Sequence, residues 1–341
     1  MPTRARELQL NYFRASIGVA NIKGGAGILR NLKGHQKSDL IDGAESPEIS
    51  AVYDRARERV LTDQREAGLD RVVEGQLRWD DMLAHPLCIH DAVDTKGIVR
   101  YYDNNNFYRE PVVEGDLDFD GDLAADLETA AEAVESESLQ AVIPGPYSLS
   151  DLATDDYYGD EAAFIEGITD FLVGEVEAFP ETETLFALEP SLVVNPPGDG
   201  ADERASEAIG RVAEATDAEV VVHTYWGALS EKVHAHLLDA AIDAVGYDFV
   251  SDHEASLYNI SEYGTKESVA LGVVDGQNTL VEDPETITER VEWVEEKLPV
   301  QGFDRTYVTP NSELFYLPVA KYREKLAALA EAASPAEVSA A

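Results

Sequence analysis

Cysteine is nearly absent from this sequence: Cys88 is the only one in 341 residues. A lone cysteine excludes an intramolecular disulfide and any zinc site built from two or more thiolates of the chain. Basic residues are scarce too, 26 Lys and Arg against 67 Asp and Glu, for a formal net charge of −41. Nucleic acid and anionic membranes are both bound through basic faces, so neither is an expected partner. No apolar run approaches the roughly 20 residues of a membrane-spanning helix. The first residues, MPTRARELQLNYFRAS, hold no apolar stretch of the signal-peptide kind. The location these absences predict is cytoplasmic.

Hydrophobic residues make up 44% of the chain, an ordinary share for a globular protein, and the acids are spread along it. Such a charge opposes compaction unless counterions screen it, which predicts a high-salt cytoplasm. Short β-branched or aromatic runs alternate with segments of helical period, the pattern of βαβ units and a parallel sheet. Strands are predicted at 14–20, 71–75, 97–103, 139–144, 184–189, 219–225, 247–251, 268–274 and 306–309. That is nine for the eight places of a barrel, and 97–103 is the extra one because no convincing helix precedes it. Helices are predicted at 47–67, 121–136, 160–178, 201–215, 228–244, 284–297 and 318–333. The expected architecture is a single (β/α)8 TIM barrel over residues 1–333 with an additional strand or hairpin, followed by a flexible tail at 334–341.

Active sites of such barrels lie at the C-terminal strand ends. There the sequence places Glu74-Gly75-Gln76, Glu189-Pro190, His223-Thr224-Tyr225-Trp226, Asp248 with Ser251 to Glu254, Asp275-Gly276-Gln277-Asn278, and Asn311-Ser312. Each has a plainer reading beside the functional one. Glu189 before a proline can cap a loop, Asp275-Gly276 is first of all a turn dipeptide, and His223 after three valines can be a hydrogen-bonded structural residue. His234 and His236 point to different faces of a helix, and Cys88 reads as an inert thiol.

Taken in order, several segments resemble the cobalamin-independent methionine synthase family, in which a zinc-bound homocysteine thiolate takes a methyl group from methyltetrahydrofolate. They are QREAGLD at 64–70, VEGQLRWDDML at 73–83, YYDNNNFYREP at 101–111, IPGPYSLSDLA at 143–153, FALEPSLV at 186–193, VALGVVDGQNTLVED at 269–283 and TPNSELFYLPV at 309–319. GVVDGQN is the most specific. Most of these segments look like the amino-terminal barrel of the family's long enzymes, the barrel without metal. The resemblance implies catalytic roles for His223, Glu189 and Asp275. It implies substrate contacts for Gln76, Asp103, Asn105, Asn278 and Ser312.

The departures concern the metal. A catalytic barrel of the family holds zinc with His-x-Cys, a Glu and a second Cys. Here His223 matches the histidine, Tyr225 stands at the first Cys, Asp248 or a neighbour is the nearest carboxylate, and Ser312 stands at the second Cys. Gln76 replaces a Glu, and Leu188 replaces the Asp of D-E-P. Zinc is expected of the family and cobalamin is not, and His223 is the one metal ligand that persists here. Three functions follow from the resemblance. One is a barrel that works with a separate zinc-bearing barrel on homocysteine and methyltetrahydrofolate or another methyl donor. Another is a non-catalytic partner or regulatory barrel, and the third a self-sufficient methyltransferase with a different acceptor.

Overall fold

A computed structural model describes residues 13–15, 46–79, 81–100, 102, 107–134, 138–298, 302–314 and 317–334. Its centre is a parallel sheet of seven strands in the order β1 (Phe13–Ala15), β10 (Arg305–Pro310), β9 (Ser268–Val274), β8 (Ala244–Asp248), β7 (Glu219–His223), β6 (Thr184–Leu188) and β4 (Gln140–Pro144). Beyond β4 an isolated parallel bridge joins Val72 to Leu139, at the segment expected as the second strand. The chain is thus an α/β protein with a TIM-barrel-like parallel sheet: seven strands and one bridge among the described residues. Strands β4, β6, β8 and β9 are buried along their whole length, as near-continuous apolar runs in a sheet covered on both faces should be.

The surplus strand belongs to an antiparallel hairpin, β2 (Val93–Arg100) with β3 (Phe107–Val113), extended by a parallel pair of residues, β5 (Thr154–Asp155). It stands outside the parallel sheet. The predicted strand at 97–103 is therefore shifted to Val93–Arg100; Tyr102 lies past its end, and positions 101 and 103, like the tail beyond 334, lie outside the described residues.

Helix ends follow local chemistry. In α1 (Pro47–Ala67) the Ser46 hydroxyl accepts from Ile49 N, Pro47 starts the first turn, and Gly68 closes it at φ 89° with its N–H on the last carbonyls. The predicted helix 228–244 is corrected to α8 (Glu231–Asp239), which stops where Ala240 turns extended at ψ 152°. The early end leaves Ala244 free to start β8, and the predicted strand 247–251 moves to Ala244–Asp248. Asp248 thereby becomes a strand's last residue. The helix α9 (His253–Tyr263), capped by Asp252 through Ala255 N, was not predicted. The other long helices are α3 (Asp122–Ala131), α5 (Glu161–Glu177), α7 (Ala201–Ala213), α10 (Pro284–Lys297) and α11 (Val319–Ala333), with short turns α2 (His85–Cys88), α4 (Pro146–Asp151) and α6 (Ser191–Val194).

Candidate functional site

Because the sheet is parallel, the C-terminal ends of its strands share one face. At the end of β6, Glu189 is fully buried and its carboxylate accepts Tyr147 N at 3.0 Å, Ser148 N at 2.7 Å and Ser148 Oγ at 2.6 Å. Those two N–H groups are orphan donors of α4's first turn, so Glu189 caps that turn from across the sheet. Burial pushes its carboxyl up to about 7 in spite of the donors. The fit is tight, for a Cβ on Gly145 would lie 2.2 Å from Glu189 Oε1.

The ends of β7, β8 and β10 meet in a second cluster. His223 Nε2 lies 3.0 Å from the Asn311 carbonyl, so it carries the proton, while Nδ1 has no hydrogen-bond partner and faces Gly246, where a Cβ would lie 2.2 Å from it. Burial drives the ring down to about 4, and the neutral form is the one this geometry accommodates. Asp248 Oδ1 accepts Val250 N and Ser251 N, and its Oδ2 accepts Trp226 N at 2.9 Å. The Asn311 amide donates to both oxygens at 3.1 Å. Ser312 is buried, with Oγ unbonded. Buried beside Tyr225 is Glu313, an acid that desolvation pushes up to about 7.

This donor set does not fit zinc. The one histidine spends Nε2 on a carbonyl and presses Nδ1 against backbone, Asp248 is saturated by amides, and thiolates are replaced by Tyr225 and Ser312. Among the described residues no three His, Cys, Asp or Glu side chains group as a metal site.

A third group is assembled from the hairpin and the ends of β4, β6 and β7. The Tyr102 hydroxyl lies 2.5 Å from Ser191 Oγ, which donates to Asp151 Oδ2 at 2.7 Å; Asn195 Nδ2 donates to the same oxygen at 3.0 Å. The Tyr102 ring stands edge-on to Trp226 with centroids 5.3 Å apart. Among the described residues the non-glycine residues with positive φ are Gln76 (46°), Tyr102 (35°) and Trp226 (69°). All three belong to this face or to the hairpin that reaches it, and backbone strain of this kind gathers at functional sites. Beside Gln76, Glu74 is buried, accepts Gln76 N at 2.8 Å, and is pushed up to about 7 by burial and by Asp126. Gln76 reaches across to the Val142 carbonyl at 3.2 Å.

The sequence candidates therefore divide. Gln76 is buried at a strand end, bonded to Glu74 and to the Val142 carbonyl, and His223 and Ser312 lie in the second cluster. Asp275 and Asn278 form a local turn, in which Asp275 Oδ1 accepts Gln277 N and Asn278 N, and Asn278 Oδ1 accepts Leu280 N. Asp103 and Asn105 fall outside the described residues, on either side of which lie Tyr102 and β3. Sequence reasoning passed over Tyr102, Asp151, Ser191 and Asn195 because their significance lies in contacts with segments 40 to 89 residues away. A cleft of about 920 Å³ lies at the opposite strand ends, where Glu219, Asp243, Ser268 and Arg305 line it, away from all three clusters.

Residues 90–299 match the family described as cobalamin-independent synthase, N-terminal domain. A methionine synthase of Saccharolobus solfataricus is 22% identical over 290 residues, which cover 83% of this chain and 84% of that protein. The 5-methyltetrahydropteroyltriglutamate–homocysteine methyltransferase of Bacillus subtilis is 26% identical over 245 residues, 70% of this chain and 31% of that protein. A B12-independent methionine synthase from a Shewanella species, solved in complex with selenomethionine, superposes with a TM-score of 0.74 at 20% identity, over 85% of this chain and 89% of its own. A putative vitamin-B12-independent methionine synthase from Listeria monocytogenes gives 0.68 at 17% identity, over 94% and 96%. At these identities the structural likeness concerns the fold.

Proposed function

The chain belongs to the cobalamin-independent synthase family, in its N-terminal-domain form, and we propose that it serves methionine biosynthesis by methyl transfer as a barrel working with a separate zinc-bearing barrel. The acceptor in this reading is homocysteine, the donor methyltetrahydrofolate or another methyl donor, and cobalamin takes no part. A thiol must be deprotonated to attack a methyl group at neutral pH. The cluster that would have to hold a metal for that purpose is closed by the hydrogen bonds of His223 and Asp248, and this observation carries the assignment of the metal to another chain. Substrate contacts then fall to Tyr102, Asp151 and Trp226 at the rim and to Gln76, and the resemblance adds Asp103 and Asn105. The Trp226 and Tyr102 rings offer apolar faces, Asp151 an anchoring charge, and Glu74 a carboxyl able to hold or release a proton near neutrality.

A second reading, a non-catalytic partner barrel, is favoured by a different observation. Glu189, Asp248 and Asp275 are all committed to backbone amides of their own chain. Methionine formation by the chain mixed with a zinc-bearing barrel separates the two. If the rim binds substrate, Asp151→Asn and Trp226→Ala each lower kcat/KM of the pair by about 100-fold, the scale of a lost positioning contact. If both variants, and His223→Ala with them, leave the pair fully active, the catalytic reading fails and the partner reading stands.

A further inference from the structure

The side-chain amide of Asn311 ties together the ends of two neighbouring strands. Its Nδ2 donates to both oxygens of Asp248 beyond β8, and its Oδ1 accepts Gly276 N, beyond β9, at 3.0 Å. Its backbone N–H donates to Val274 O at 2.8 Å, and its carbonyl takes His223 Nε2 at the end of β7. The amide's orientation is fixed by these partners: turned over, it would set an oxygen against a carboxylate and an NH2 against an N–H. Two glycines make room for it. A Cβ on Gly272 would lie 2.7 Å from Asn311 Cα, and one on Gly276 would lie 2.4 Å from Ser312 O. Asn311 is 4% exposed and Asp248 is fully buried, so these bonds form away from water, where a missing partner is most costly.

We infer that Asn311 is a positioning residue: it clasps the ends of β7, β8, β9 and β10 without a metal and, through Asp248, holds Trp226 in its left-handed conformation at the rim. The path to Trp226 is short. Asp248 Oδ2 accepts both Asn311 Nδ2 and Trp226 N, and Trp226 at φ 69° carries the ring that meets Tyr102. A non-glycine residue persists at such φ only where its surroundings over-determine it, and this carboxylate oxygen is the constraint. The clasp depends on no substrate, so its test needs no methyl-transfer assay and stands or falls apart from the proposed function.

The experiment uses the full chain with Trp79→Phe and Trp293→Phe, so that fluorescence reports Trp226 alone. Asn311→Ala lowers Tm by several degrees and shifts Trp226 emission to the red. Asn311→Asp, which sets a second carboxylate against Asp248, lowers Tm further. The exchange Asp248→Asn with Asn311→Asp restores one amide–carboxylate pair and regains part of that loss, yet leaves emission shifted, because the single oxygen left at position 248 serves Val250 N and Ser251 N and Trp226 N then faces an NH2. Chelator leaves Tm unchanged in the parent. The inference is overturned if Asn311→Ala keeps the parent's emission, if the exchanged pair is no more stable than Asn311→Asp alone, or if chelator lowers the parent's Tm.

Discussion

Replacing Glu74 by Gln should tilt the pH dependence of stability, and the direction follows from opposed sets of buried groups. Glu74, Glu189 and Glu313 are pushed up to about 7 by burial, while burial drives His85, His223 and His234 down to about 4. The folded acids hold protons that their unfolded counterparts release above pH 4.5, so their contribution falls as pH rises toward 7. The histidines act the other way: the unfolded rings bind protons below 6.5 and the folded ones do not, so their contribution rises with pH from about 4 to 6.5. The two sets of slopes oppose one another across this window. Glu74→Gln keeps an oxygen for Gln76 N but cannot titrate. It removes one acid, so stability should rise with pH relative to the parent by up to about 1.4 kcal/mol per unit, or about 3 kcal/mol between pH 4.5 and 7. Urea unfolding of both proteins at several pH values in molar KCl reads this difference, with surface repulsion common to both. Parallel profiles would refute the burial argument for Glu74.

Other perturbations test other parts of the structure. Gly145→Ala should destabilise by about 3 kcal/mol, because the new methyl displaces a carboxylate held by three hydrogen bonds. Gly145 has φ −76°, so backbone strain adds nothing, and a loss below about 1 kcal/mol in chemical denaturation would contradict the steric account. Tyr102→Phe removes the bond to Ser191 but keeps the ring on Trp226; limited proteolysis should cut the hairpin faster, and an unchanged rate would show that the hydroxyl does not latch it. The net charge of −41 predicts that Tm climbs between about 0.15 M and 1 M KCl, as the Debye length shrinks from about 8 to about 3 Å, and a flat profile would count against self-repulsion.

The sheet was legible wherever local pattern and tertiary role agree. QAVIP, TLFAL and SVALGVV are short apolar runs that end at turn residues, and they fold as the buried strands β4, β6 and β9. Pro47 and Gly68 bracket α1 because the cap chemistry is local. The stretch from 240 to 248 misled because its apolar spacing continues α8's, and only pairing of β8 with β7 and β9 makes it a strand. The resemblance placed His223 at a strand end, but what its ring does depends on Asn311, 88 residues on. Asp248 likewise looked like a spare carboxylate until Asn311, 63 residues away, and three loop amides saturated it. The rim is harder still: Tyr102, Asp151 and Ser191 lie within the family-like segments 101–111, 143–153 and 186–193, but nothing local singles them out from their neighbours, and they acquire meaning only in contact with one another.

The division of labour between two barrels is tested most directly by assaying the purified chain, with and without a zinc-bearing barrel, for bound zinc and for methionine formed from homocysteine and methyltetrahydrofolate. The account predicts no stoichiometric zinc and no turnover for the chain alone, and turnover once the second barrel is added. One zinc per chain with turnover in isolation would contradict it.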